Sequence, residues 1–173
     1  MALEPWVPRE DGFCVAQICL NGHVVTTRAE VVPYKLLRPF CAKCGKETFV
    51  KCPHCQETIR GAWPPDEIDF VQGPVFEFPH FCAECGAPYP WTAGKLQAAK
   101  ELAAELDGLT DDEREQLVGS LEDLIGDGPR TSLAATRFTK LITKASGSGV
   151  PAFREMMAEL ASSAAKRALG IGS

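Results

Sequence analysis

Two hydrophobic patterns divide the chain. Up to residue 90, apolar residues come in short β-prone runs, and from residue 91 onward they recur at helical spacing. Phe13 to Leu20 carries Phe, Val and Ile and reads as a strand. Asn21-Gly22 then supplies a tight turn, because both residues tolerate positive φ, and His23 to Thr27 is a second β-prone run. The three together predict a hairpin. Thr48 to Lys51 predicts another short strand, Ile59-Arg60-Gly61 ends one, and Val75 to Phe78 alternates as one. Arg28 to Phe40 is a connector whose apolar run, Val31 to Leu37, fits strand and helix equally. Trp63 to Phe70 is a Pro-rich, acidic loop with two aromatics, expected to pack over the hairpins rather than face a partner. Residues up to about Asp11 show no periodicity.

Beyond Trp91 the pattern predicts about four amphipathic helices. The first is capped by Thr92, is stapled by Trp91 and Leu96, and carries Leu96, Ala99, Ala103 and Leu106 on one face. The second opens on a capping box of Thr110 and Glu113, with Asp111 and Asp112 at its positive end. It carries Leu117, Leu121, Leu124 and Ile125 and stops at Gly126. The third, roughly Arg130 to Ala145, carries Leu133, Phe138, Leu141 and Ile142. Ser146 to Gly149 is a flexible link. The fourth starts near Pro151, a good first-turn residue, carries Phe153, Met156, Met157, Leu160 and Ala164, and stops at Gly170. Such stripes must be buried, in a small bundle, on the N-terminal half or in a homo-oligomer. The expected organisation is therefore residues 1–90 as one region and 91–173 as a helical one, in an α+β fold.

Cysteine changes the picture of the first region. There are eight, and seven of them join one histidine in four short pairs: Cys19 with His23, Cys41 with Cys44, Cys52 with Cys55, and Cys82 with Cys85. Seven thiols and one imidazole are the right number for two four-coordinate zinc ions, and closed four-ligand sites are structural. Taken in sequence, Cys19, His23, Cys41 and Cys44 make a site of three cysteines and one histidine, and Cys52, Cys55, Cys82 and Cys85 a site of four cysteines. Each then joins two knuckles at hairpin ends, giving tandem zinc ribbons. A cross-braced pairing is the alternative, disfavoured because the histidine sits in the first pair and a strand separates the second pair from the third. A disulfide framework would leave His23 and the threefold Cys-x2-Cys unexplained. Glycine after Cys44 and after Cys85 suits a knuckle turn that needs positive φ. Cys14 has no partner at ligand spacing and reads as a small buried residue. His54 and His80 are expected to point away from the metals.

These segments, AQICLNGH at 16–23, FCAKCGKET at 40–48, CPHCQETIRG at 52–61 and FCAECGAPYPWT at 81–92, resemble an uncharacterised bacterial family known as a domain of unknown function. The resemblance runs from the first strand into the helical tail. It implies a bacterial double zinc ribbon followed by helices and brings no activity with it.

Charge and motif narrow the function classes. The net charge is -5, which argues against binding nucleic acid over the whole surface. Residues 91–127 hold three basic against ten acidic side chains, and residues 128–173 hold seven against two. An acidic helix pair facing a basic one accounts for this. The sharper reading is a basic third helix, Arg130 to Lys144 without an acid, that meets nucleic acid or an acidic protein. No apolar run is long enough for a membrane span, and the first residues lack the pattern of a secretory signal, so the cytoplasm is expected. With both metal sites filled, hydrolysis at zinc is disfavoured, and no phosphate loop or nucleophile elbow appears. The expectation is a non-catalytic zinc protein acting as an adaptor for a protein partner. The alternatives are a nucleic-acid-binding ribbon and a rubredoxin-like redox site with iron among the four cysteines.

Overall fold

The computed structural model describes residues 12–30, 37–62 and 79–170. The expected strand at 75–78, the aromatic loop at 63–70, the apolar run at 31–36 and the opening residues lie outside these. The elements run β1 (Gln17–Cys19), β2 (Val24–Thr26), β3 (Thr48–Phe49), α1 (Pro90–Ala104), α2 (Asp111–Ile125), α3 (Thr131–Lys144), α4 (Gly149–Leu160) and α5 (Ser163–Leu169). The fold is α+β, with a small antiparallel sheet followed by helices. The residues fall into two compact units, Met1–Thr92 and Ala93–Ser173.

In the first unit β1 is the central strand of the order β2-β1-β3. Gln17, Ile18 and Cys19 are each fully buried, as a strand paired on both edges requires. Cys19 lies opposite Thr48, and Ile18 lies opposite both Val24 and Phe49. The core beneath is small: Ala16, Ile18, Ile59, Tyr89 and Trp91, with Cys52 and Cys82 among them. Aromatic stacking fills it, with Tyr89 and Trp91 ring centroids 4.5 Å apart and Phe49 and Trp91 5.8 Å apart. Gly22 is required twice in the β1–β2 turn. Its φ is +82°, and a Cβ there would stand 3.0 Å from Trp91 Cβ.

Trp91 and Thr92 behave differently from expectation. The first helix begins at Pro90, so Thr92 is inside it and does not cap it. Its side chain, 1% exposed, lies 3.4 Å from His80 Nδ1. Trp91 turns into the β-rich core and donates its indole N–H to Pro79 O at 3.2 Å. An aromatic face was available there, and burying it outweighed a local staple.

The second unit is organised by a conventional apolar core, built from Ala99, Leu106, Leu117, Leu121, Leu124, Phe138, Leu141, Phe153, Met157 and Leu160 among others. The capping box is present. Glu113 N–H donates to Thr110 Oγ1 at 3.3 Å, and Thr110 N–H donates to Glu113 Oε2 at 3.1 Å. Lys144 at the end of α3 donates to both Glu113 oxygens, and with Thr110 N–H it holds that carboxyl below its usual range. Arg114 closes the end of α1, donating to the carbonyls of Ala104, Leu106 and Leu109 at 2.8–3.0 Å.

Two expectations are corrected here. Leu133 is 47% exposed instead of joining the α3 stripe, because Ala134 and Phe138 set the buried face one residue later. The expected fourth helix is two helices, α4 and α5, broken at Ala161 and Ser162. Ser162 caps α5, accepting from Ala165 N–H at 3.2 Å, and its own N–H goes to Leu124 O at 2.9 Å. Asp127 accepts from Ala164 N–H and is held below its usual range chiefly by the Ser162 hydroxyl. Two serines in the sequence offered this cap, and apolar spacing alone passes over it.

Replacing the N-cap tests the helical unit. Thr110→Ala is expected to destabilise it by about 1 kcal/mol, read as a lower urea midpoint for loss of helical circular dichroism.

Candidate metal centres

Three segments of the first unit share one local design. A residue before the first cysteine bridges the residue seven positions on, as Phe40 with Glu47, Lys51 with Thr58, and Phe81 with Pro88. Inside each bridge the first cysteine donates its N–H five positions ahead, and the residue four ahead donates back to the cysteine carbonyl. These bonds measure 2.8 and 2.8 Å at Cys41, 2.7 and 2.9 Å at Cys52, and 2.9 and 2.9 Å at Cys82. Such a tight loop forces the residue after the second cysteine into the left-handed region. Gly45 and Gly86 each have φ of 70° there, and the third loop puts Gln56 in the same place at 63°. Nothing crowds Gly45 or Gly86, so conformation alone selects glycine. The β1–β2 turn is the fourth knuckle, closed by Cys19 N–H to His23 O at 3.0 Å and Gly22 N–H to Cys19 O at 2.9 Å.

The four knuckles meet in two pairs, in sequence order. Cys19, His23, Cys41 and Cys44 form one group and Cys52, Cys55, Cys82 and Cys85 the other, and within each group the donor atoms lie within 4.8 Å of one another. The cross-braced pairing is not what the chain adopts. Cys14 is buried outside both groups, its thiol pushed up first by burial and then by the Glu30 carboxylate. His54 and His80 also lie outside them.

The distances discriminate between chemistries. Sγ atoms of Cys19 and Cys44 are 3.7 Å apart, those of Cys52 and Cys85 3.9 Å, and those of Cys55 and Cys82 3.7 Å. A disulfide would need about 2.05 Å. Four sulfurs around a metal at about 2.3 Å would form a tetrahedron with edges of about 3.8 Å. Cys41 Sγ lies 3.7 Å from His23 Nδ1, where a tetrahedral site with a metal–nitrogen bond of about 2.0 Å predicts about 3.5 Å. Both groups therefore have the donors, and the spacing of donors, to hold a tetrahedral metal ion.

Backbone and side-chain hydrogen bonds prepare the sulfurs for negative charge. Burial works against ionising Cys41, yet the N–H groups of Lys43 and Cys44, with Cys44 and His23 beside it, bring its thiol down to about 6. Cys82 also comes down to about 6, burial being overcome by the N–H groups of Cys85 and Glu84, with Cys55 and the Tyr89 hydroxyl. Their neighbours go the other way. Against the N–H of Glu57, burial and the three adjacent thiols push Cys55 up to about 12. Against the N–H of Ala87, burial and the thiols of Cys82 and Cys52 hold Cys85 up. Burial first, then the Cys44 and Cys41 thiols, hold Cys19 up against N–H groups of His23 and Asn21. Within each group the shifts are opposed, Cys41 brought down and Cys19 held up in the first, Cys82 brought down and Cys55 and Cys85 held up in the second. A divalent cation would favour the thiolate form of all of them.

Tyr89 is the site residue the sequence reading passed over. It is 3% exposed and stacks on Trp91, and burial first, then the Cys82 thiol, push its hydroxyl's pKa up. The signal was an aromatic with a polar tip four residues after a ligand cysteine.

Among the described residues no helix is long and apolar enough to cross a membrane. The chain belongs to a family described as an uncharacterized protein conserved in bacteria (DUF2321), whose family model matches residues 12–169. No curated protein and no solved structure matches it.

Gln56 gives a sharp test of the shared knuckle geometry. Gln56→Gly is expected to stabilise the protein by roughly 0.5–1 kcal/mol, because glycine holds the same left-handed conformation without the steric cost of a Cβ. The gain would appear as a higher midpoint in denaturant at saturating metal.

Proposed function

We propose that this member of the family is a non-catalytic zinc protein whose two ions, one held by three cysteines and a histidine and one by four cysteines, fold its N-terminal unit into a platform for a protein partner. The observation that carries the reading is the completeness of both donor sets. Four protein donors at tetrahedral spacing leave no coordination position for a reacting water, which is the condition for a structural site rather than a hydrolytic one. Zinc is favoured over iron because it suits a mixed sulfur and imidazole set as readily as an all-sulfur one. The eight cysteines are free of disulfides, and thiols spaced as ligands suit the cytoplasm.

The platform has an apolar feature that the metals do not use. Phe40 and Phe81, each preceding a ligand cysteine, are 58% and 40% exposed. A knuckle base that exposes phenylalanine in each of two metal sites suits contact with another protein's apolar surface.

A second reading rests on α3. Its terminal cations are taken up within the unit, Arg130 by Asp123 at 2.9 Å and Lys144 by Glu113 at 2.6 Å. Arg137 and Lys140 are exposed and make no ion pair among the described residues. That pair, with no acid on the helix, suits an anionic partner such as nucleic acid.

Metal analysis tests the first part. The purified chain is expected to carry two zinc ions and no colour, whereas iron in a four-thiolate site would be red. Removing the metal with a chelator is expected to abolish hydrogen-exchange protection at Ile18 and Cys19 while α2 stays protected, since structural zinc contributes roughly 10–16 kcal/mol of apparent binding energy to small folds. A pull-down from the native host tests the second part. The adaptor reading expects a protein partner that survives nuclease and is lost from a Phe40→Ser, Phe81→Ser variant. Loss of all partners with nuclease, and with Arg137→Glu, Lys140→Glu, would establish the nucleic-acid reading in its place.

A further inference from the structure

The two metal centres differ in which ligands face outward. In the first, Cys19 and Cys41 are buried, and the ligands nearer solvent are His23 and Cys44, both half-buried. In the second, Cys52 and Cys82 are buried and both outward ligands, Cys55 and Cys85, are exposed cysteines. An outward imidazole and a single outward sulfur cannot make a disulfide with each other, but two outward sulfurs can. The inward pair of the second centre is further protected. Cys52 and Cys82 are part of the apolar cluster with Ala16, Ile18, Ile59, Tyr89 and Trp91.

We infer that Cys55 and Cys85 are an oxidation site, a thiol pair that a hydroperoxide converts to a disulfide with release of the second metal ion while the first centre stays intact. The inference rests on both centres holding zinc. A four-thiolate zinc centre carries one more negative charge than one with three thiolates and an imidazole, so its sulfurs are the stronger nucleophiles. Cys55 and Cys85 lie within 4.8 Å of one another, and each has an inward sulfur close by, Cys82 at 3.7 Å and Cys52 at 3.9 Å. Exposure to the oxidant rather than proximity therefore selects the outward pair, which closes to about 2.05 Å once the metal no longer holds it apart.

One of the two exposed thiolates attacks a peroxide oxygen, so an S–O bond forms, the O–O bond breaks, and the leaving oxygen takes a proton to become water or an alcohol. The other thiolate attacks that sulfur, so the S–S bond forms, the S–O bond breaks, and hydroxide leaves and takes a second proton. Two sulfurs lose two electrons in all, and the peroxide gains them. Cys52 and Cys82 remain as two donors, too few to close a tetrahedral site. A dithiol reductant reverses the change by exchange, and zinc can then rebind.

The experiment uses the full chain loaded with zinc and assayed first for metal content. A starting content other than two zinc ions would remove the premise and count against the proposed function. With two ions bound, limiting hydrogen peroxide is expected to release one of the two equivalents, detected with a chromogenic chelator, and a dithiol with added zinc to restore it. Differential alkylation and peptide mass mapping are expected to find a Cys55–Cys85 disulfide, with Cys14, Cys19, Cys41 and Cys44 still reduced. Release of both ions together, oxidation of the first centre ahead of the second, or a principal disulfide through Cys52 or Cys82 would overturn the proposal. The variant His23→Cys, which gives the first centre two outward sulfurs, is expected to release both equivalents. Should it fail to load two ions, the mapping of the unaltered chain decides alone.

Discussion

In the N-terminal unit four donor atoms are brought within 4.8 Å of one another, twice. Thiols in such a space repel one another as soon as two of them ionise, and, against the N–H of Glu57, burial and the adjacent thiols push Cys55 up while Cys82 goes down. Apolar burial could not impose this crowding, because the apolar core that packs around the sulfurs is a handful of residues. What it does is hold the four knuckles in register. β1 delivers Cys19, the turn after it delivers His23, and β3 pairs with β1 so that the Cys41–Cys44 knuckle preceding it is brought alongside. The sheet is short because it need only align the donors, and a cation closing the donor sets would supply the cohesion that a larger core supplies elsewhere.

The second unit solves the same problem by the ordinary route. Its stripes of leucine, alanine and phenylalanine meet in one core, and polar side chains close the helix ends. Glu113 caps its own helix and receives Lys144, Arg114 closes α1, and Ser162 and Asp127 start α5. The acidic and basic halves that stand apart in sequence are partly reconciled in these contacts. Lys95 meets Glu159, Lys100 meets Glu122, Arg130 meets Asp123, and Lys144 meets Glu113, at 2.6–2.9 Å. Exposed pairs of this kind contribute little stability. They leave Arg137 and Lys140, in the middle of α3, without an ion pair among the described residues.

Legibility in the sequence follows the range of the interaction. The Cys and His pairs, the Thr110–Glu113 box and the stop at Gly126 are written within a few residues; the pairs gather into two groups of donors, and the box and the stop stand where spacing places them. The pairing of knuckles was legible too, because the strand between Cys44 and Cys52 separates the two centres. What spacing could not supply was competition between a local and a distant partner. Trp91 had a local staple available and took the stack on Tyr89 instead. Leu133 fits an apolar stripe on paper, and packing rotates α3 so that Ala134 and Phe138 take the inside. The break before α5 depends on Ser162 N–H finding Leu124 O, a contact between residues 38 apart in sequence.

Gln56 shows why repetition in this unit carries meaning beyond symmetry. Three knuckles share their hydrogen bonds residue for residue, yet only two have glycine at the left-handed position. The third keeps the conformation with a side chain that offsets part of its strain by donating to Pro53 O at 3.3 Å. That exception lies directly after Cys55, in the centre whose outward ligands are both thiols. The first centre has a histidine where the second has cysteine and a relaxed glycine in its Cys-x2-Cys knuckle. The second therefore combines the more nucleophilic donor set with the more strained loop. Strain held in such a loop is taken from the binding energy of any metal that closes the centre, so the second centre would give up its ion more readily than the first. On the proposed reading, two ribbons built to one plan would therefore differ in lability, the first centre a permanent fastener and the second a fastener that opens.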